Sequence, residues 1–131
     1  MGDLSKNWSR KEFACKCGCG FDTVDHELIT VLQDVIDHFA YLHPDDAVRG
    51  HINSGCRCDT HNRKIGGSSR SQHVRGRAAD FRVSVAGVDL PADLIADYLE
   101  QKYPDKYGIG RYDGRTHVDT RTNGPARWDK R

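Results

Sequence analysis

From His26 to His43 the apolar residues Leu28, Val31, Leu32, Val35, Ile36, Phe39 and Leu42 recur at steps of three and four. That spacing lines one face of a helix. Asp25 stands at the N-cap position, and Pro44 with Asp45 and Asp46 closes the segment. Ala47 to Ser54 reads as a short strand. Arg77 to Val85 reads as another, with Ala79, Phe81 and Val83 on one face and Asp80 on the other. A second helix is expected from Ala92 to Tyr103, with Leu94, Ile95, Tyr98 and Leu99 turned inward. Tyr107 to Tyr112 and Thr116 to Thr120 read as two strands joined by the turn Asp113–Gly114, a hairpin signal.

The stretches between are less regular. Residues 1–25 form an irregular lead-in, in which Trp8 and Phe13 can anchor to the core. Residues 55–76 are rich in Gly, Ser, Arg and Asn and read as a long loop with a helical turn near Thr60–Lys64. Residues 121–131 form an irregular tail carrying Trp128. The order predicts one small α+β domain over 1–131, a mostly antiparallel sheet with two main helices packed against it. A loop of about twenty residues inside such a domain is unusual and often functional.

Composition narrows the classes. A chain of 131 residues is the size of one domain, and 37% hydrophobic with 30% charged residues is ordinary for a globular protein. The formal net charge of +1 gives no case for a nucleic-acid partner. No apolar run approaches the roughly 20 residues of a membrane helix, so no membrane partner is expected. The start MGDLSKNWSR lacks an apolar segment after its charges, and Lys6 spoils a myristoylation signal. Synthesis in a cytoplasm without a signal peptide, as a monomer, is the expectation.

The chemistry gathers around the long loop and the last strand. His73 sits at the loop edge, Asp80 on the polar face of the following strand, and Gly76 permits a tight turn between them. His117 sits on the last strand, with Asp119 on the same face. Two imidazoles and a carboxylate suit zinc, and three protein ligands leave a fourth position for water. Spacing alone leaves open the plainer reading, histidines that merely hydrogen-bond.

The pattern S-x-H-x-x-G-x-A-x-D over Ser71–Asp80 adds to this, with Ser54-Gly55-Cys56-Arg57 before it and Gly108-Ile109-Gly110 and His117-Val118-Asp119 after it. Together they resemble the zinc D-alanyl-D-alanine carboxypeptidase family, whose relatives include vancomycin-resistance dipeptidases and phage L-alanyl-D-glutamate endolysins, and whose fold the Hedgehog signalling domain shares. The resemblance covers roughly residues 5–128. It extends to a phage and proteobacterial branch with a Phe-x-Cys-x-Cys-Gly-Cys start like Phe13–Cys19. It implies His73, Asp80 and His117 as ligands of one catalytic zinc, Arg57 as the group that meets the oxyanion, and Ser71 as a contact for the substrate carboxylate. It also implies a peptidoglycan peptide as substrate and a cell-wall lytic role of the endolysin kind, the bond cut being left open. The family's usual base positions hold Gly114 and Arg115 here. Asp119 is the first candidate for the water-activating base and Asp113 the second, unless Asp119 orients a ligand histidine instead. The missing base keeps a second reading open, a zinc-containing binding module without catalysis. A third, a thiol-rich structural protein of a phage particle, rests on the cysteines alone.

Those cysteines fall in two clusters, Cys15-Cys17-Cys19 and Cys56-Cys58. Their spacing does not match a standard zinc finger. Free thiols lead the alternatives, followed by a disulfide between clusters and a second, Cys-bound metal.

Overall fold

The computed structural model describes residues 2–20, 22, 24–67 and 71–131. Helix α1 (His26–Leu42) forms where the three-and-four spacing predicts it, and buries Leu28, Ile29, Val31, Leu32, Val35, Ile36 and Phe39. Each such side chain contributes about 1.5–3 kcal/mol when fully buried. Asp25 is at the N-cap but makes no side-chain cap bond. Its carboxylate accepts instead from Thr120 Oγ1 at 3.0 Å.

Besides a short 3-10 helix at Arg10–Phe13 in the lead-in, the other elements are β1 (Val48–Ser54), α2 (Asp59–Lys64), β2 (Ala78–Val85), β3 (Val88–Asp89), α3 (Ala92–Lys102), β4 (Gly108–Tyr112), β5 (Arg115–Asp119) and β6 (Ala126–Asp129). One sheet holds the strands in the order β1-β2-β5-β4-β6, with β3 paired to β2. The architecture is α+β, with a sheet antiparallel throughout except for the parallel β4–β6 pair.

Both long helices contribute to one apolar cluster with the sheet. Ile95, Ala96 and Leu99 of α3 join the α1 stripe, Ala79, Phe81 and Val83 of β2, Ile109 of β4 and Val118 of β5. Trp8 and Phe13 close it from the lead-in, both fully buried and edge-on to each other with ring centroids 5.8 Å apart. Strand alternation then leaves Asp80, His117 and Asp119 on the opposite face.

Three expectations need correction. Leu94 is 48% exposed rather than inward. One residue before Ile95, it is turned about 100° off the stripe, and Ala96 takes the inward place. The tail is not wholly irregular, because β6 pairs with β4. The short β3 was not anticipated either. It pairs Val88 with Val85 across a tight turn, and both its residues are exposed.

Candidate metal centre and its cleft

Register brings the first two donors together. Asp80 on β2 is the direct antiparallel partner of His117 on β5, and such pairs have Cβ atoms about 5 Å apart. Their side chains meet, with His117 Nδ1 2.8 Å from Asp80 Oδ1. His73 arrives from the loop before β2. A turn over residues 71–76 carries it, closed by Gly76 N–H donating to His73 O at 3.1 Å, with Gly76 at φ +68°. His73 Nε2 lies 3.4 Å from Asp80 Oδ2. One donor atom from each of His73, Asp80 and His117 lies within 4.8 Å of the other two, and all three residues are buried.

The hydrogen bonds behind the rings decide which nitrogens face inward. His73 Nδ1 is 2.6 Å from the carbonyl of Gly55. A carbonyl only accepts, so Nδ1 carries the proton and Nε2 presents a lone pair. His117 Nε2 is 2.7 Å from Asp119 Oδ2. Asp119 is fully buried and ion-paired to Arg121 at 2.7 Å, so its carboxylate also only accepts, and in the neutral ring Nδ1 is left bare. Two bare nitrogens and a carboxylate pointing at one another repel unless a cation lies among them. The donor set therefore fits zinc.

Arg57 stands beside the centre, with Nη2 3.8 Å from Asp80 Oδ2. Its Nε donates to Ser54 Oγ at 3.3 Å and its Nη1 to Asn62 Oδ1 at 3.1 Å. Arg57 N–H donates to His73 O at 3.0 Å, tying the two ends of the long loop together. Ser71 Oγ accepts from His73 N–H at 3.2 Å and also lines the cleft. Asp113 is exposed in the hairpin turn and is not among the residues of that cleft.

The cleft has a volume of about 540 Å³ and carries Arg57, Arg115, Arg121 and Lys130 on its walls. Its only carboxylates, among the described residues, are Asp80 and Asp119. Sequence reading missed three of its features. Trp128 of β6 packs on the His117 ring with centroids 4.8 Å apart and donates to Tyr112 Oη at 2.9 Å. Arg121 secures Asp119 through Nε and Nη2, both at 2.7 Å. Gln72 Oε1 is buried with no hydrogen-bond partner among the described residues. Only Trp128 had a signal, as a large aromatic in a polar tail.

The strand β4 makes room for this face by having no side chain at Gly108 or Gly110. A Cβ on Gly108 would lie 2.3 Å from Asp119 Oδ2, and one on Gly110 2.3 Å from Trp128 Nε1. The G-x-G pattern is a steric requirement of the groups lying over it.

In the metal-free protein, with protons on the facing ring nitrogens, burial alone would lift the Asp80 carboxyl, but hydrogen bonds from His117 and His73 outweigh it and hold the group well below the usual range. Asp119 is depressed likewise, burial being outweighed by Arg121 and His117. Burial opposes charge on His117, yet Asp119 and Asp80 raise its pKa. For the chelated protein the two carboxylates stabilise the fold above about pH 4, and that stability is lost as pH falls through their lowered values. His117 adds stability that is complete below about pH 6.5 and is lost as pH rises through its raised value. Thermal melts of chelated protein should therefore peak between those limits. Zinc-loaded protein should instead hold its melting temperature above pH 7, because the metal replaces the proton on His117.

Two imidazoles and a carboxylate at the floor of an open cleft could together hold a metal ion, and a donor set of that kind is used by hydrolytic zinc sites. Residues 6–119 match the family Peptidase M15, and the chain belongs to that family of zinc metallopeptidases. No curated protein and no solved structure matches the chain.

Proposed function

We propose that the protein is a zinc peptidase of bacterial peptidoglycan, of the phage-endolysin type, with His73, Asp80 and His117 holding one zinc. The observation that carries this reading is the convergence of three bare donor groups beside a fixed arginine in a basic cleft. Zinc bound there would supply Lewis acidity toward water and the scissile carbonyl. Stem peptides carry several free carboxylates, and four basic side chains on the cleft walls suit them. Ser71 is proposed as one contact for a substrate carboxylate. The guanidinium of Arg57 is held by Ser54 and Asn62 before substrate arrives, so it can meet developing charge without reorganising.

Asp119 fits an orienting role better than proton transfer, since Arg121 and His117 already engage both its oxygens. Asp113 stays the second candidate for the base, from the exposed hairpin turn outside the cleft. The scarcity of carboxylates in the cleft favours the alternative reading, a zinc-containing module that binds wall peptide without cutting it. Incubation with purified peptidoglycan, with and without a chelator, separates the two. Chelator-sensitive release of new amino termini supports the peptidase, and binding without release supports the module.

Arg57→Ala should lower kcat roughly tenfold or more, on the scale of removing one oxyanion contact, with zinc content unchanged. Arg57→Lys should recover little, because it loses the planar fork. A fully active Arg57→Ala protein would exclude the residue from the reaction.

A further inference from the structure

A second cluster of metal-binding side chains lies outside the cleft. The sulfurs of Cys15, Cys17, Cys19 and Cys58 all lie within 4.8 Å of one another. Cys15 and Cys17 are 3.5 Å apart, Cys17 and Cys58 3.6 Å, and Cys15 and Cys58 3.8 Å. Four thiolates bound at about 2.3 Å around one tetrahedral ion stand about 3.8 Å from each other. A disulfide would need about 2.05 Å, and no cysteine here is in one. The separations suit sulfurs that share an ion and are too long for sulfurs that share a bond.

We propose that Cys15, Cys17, Cys19 and Cys58 form a closed tetrathiolate site for a second, structural zinc. The backbone is arranged for it. Cys58 N–H donates to Cys15 Sγ at 3.4 Å, and His61 N–H donates to Cys58 Sγ at 3.4 Å. Amide donors of this kind support thiolate charge and fix ligand direction. The Cys15–Cys19 loop curls back, with Gly18 N–H donating to Cys15 O at 3.3 Å, so three ligands from five residues reach one point. Cys56 is buried and stands outside the group. The chain does not run on as a strand there, since Cys58 caps α2 and turns its sulfur toward the lead-in. Four protein ligands leave no open position, so the ion staples and does not catalyse. It joins the irregular lead-in to the residue next to Arg57.

The site is independent of the cleft, and so is its test. Native mass spectrometry of protein made and purified under reducing conditions should show two zinc ions per chain. A His73→Ala/His117→Ala variant should keep one. Loaded with cobalt in place of zinc, that variant should show intense sulfur-to-cobalt charge-transfer absorption, retained on adding Cys56→Ser and lost on adding Cys17→Ser and Cys19→Ser. Cys17 and Cys19 are exposed, so their replacement leaves the core intact. The proposal is overturned if the histidine variant binds no ion, if its cobalt spectrum lacks the thiolate band, if the band survives loss of Cys17 and Cys19, or if reduced-prepared protein holds a disulfide among the four. One ion in wild type that is lost with the histidines also overturns it. One ion that survives their loss upholds it and counts against the cleft zinc alone.

Discussion

Replacing His73 or His117 by alanine is expected to remove one zinc ion per chain and abolish turnover. The proposed centre has three protein donors, so losing one leaves only two to hold the ion. Loss of an outer partner that merely orients a donor costs roughly 10–100-fold in affinity, and loss of the donor itself should exceed that. The fold should survive, because the helices pack on the other face of the sheet. His73→Ala also frees the Gly55 carbonyl, and His117→Ala removes the ring on which Trp128 packs. Both variants should therefore melt somewhat lower while staying cooperative. Elemental analysis, thermal melts and release of wall peptides check the three parts together. Wild-type metal content in both variants would refute the assignment of these donors.

Asp119→Asn is expected to weaken zinc binding by roughly 10–100-fold while the shape of the site is kept. An aspartate can only accept, which forces the His117 proton onto Nε2. An asparagine that keeps its oxygen toward Arg121 must turn its amide N–H toward His117. The ring then carries its proton on Nδ1, the nitrogen that faces Asp80 and His73. A single-atom change thus blocks a donor through its tautomer. Zinc titration against a competing chelator measures the loss, and raised zinc should restore part of the activity. Unchanged affinity with a collapsed kcat would instead assign Asp119 to proton transfer.

The sequence made some of this visible for physical reasons. The α1 stripe was plain because the apolar positions from Leu28 to Phe39 repeat at one period, although Leu42, at the end of the same series, is 53% exposed. Alternation in β2 separated Asp80 from Ala79 and Phe81, since a period of two assigns faces without knowing the partner strand. The pairing of Asp80 with His117 was beyond reach, because register across a sheet depends on strands 37 residues apart. The strand β6 was hidden by Pro125 before it and by charged residues within it. Its place is set by Trp128 settling over Gly110, which no local propensity reports. Cys56 and Cys58 stand two residues apart, which in an extended chain would put them on one face. A helix cap rather than an extended chain separates them.

The bare glycines of β4 reverse the usual permissiveness of a sheet. Strand positions facing a packed core ordinarily resist change, and those facing solvent drift. In β4 the core-facing Ile109 has aliphatic substitutes of similar volume, whereas Gly108 and Gly110 on the cleft side have none. Any attempt to widen substrate choice by diversifying this wall must spare those two positions. The accessible variation lies along Tyr112 and Arg115 at the rim.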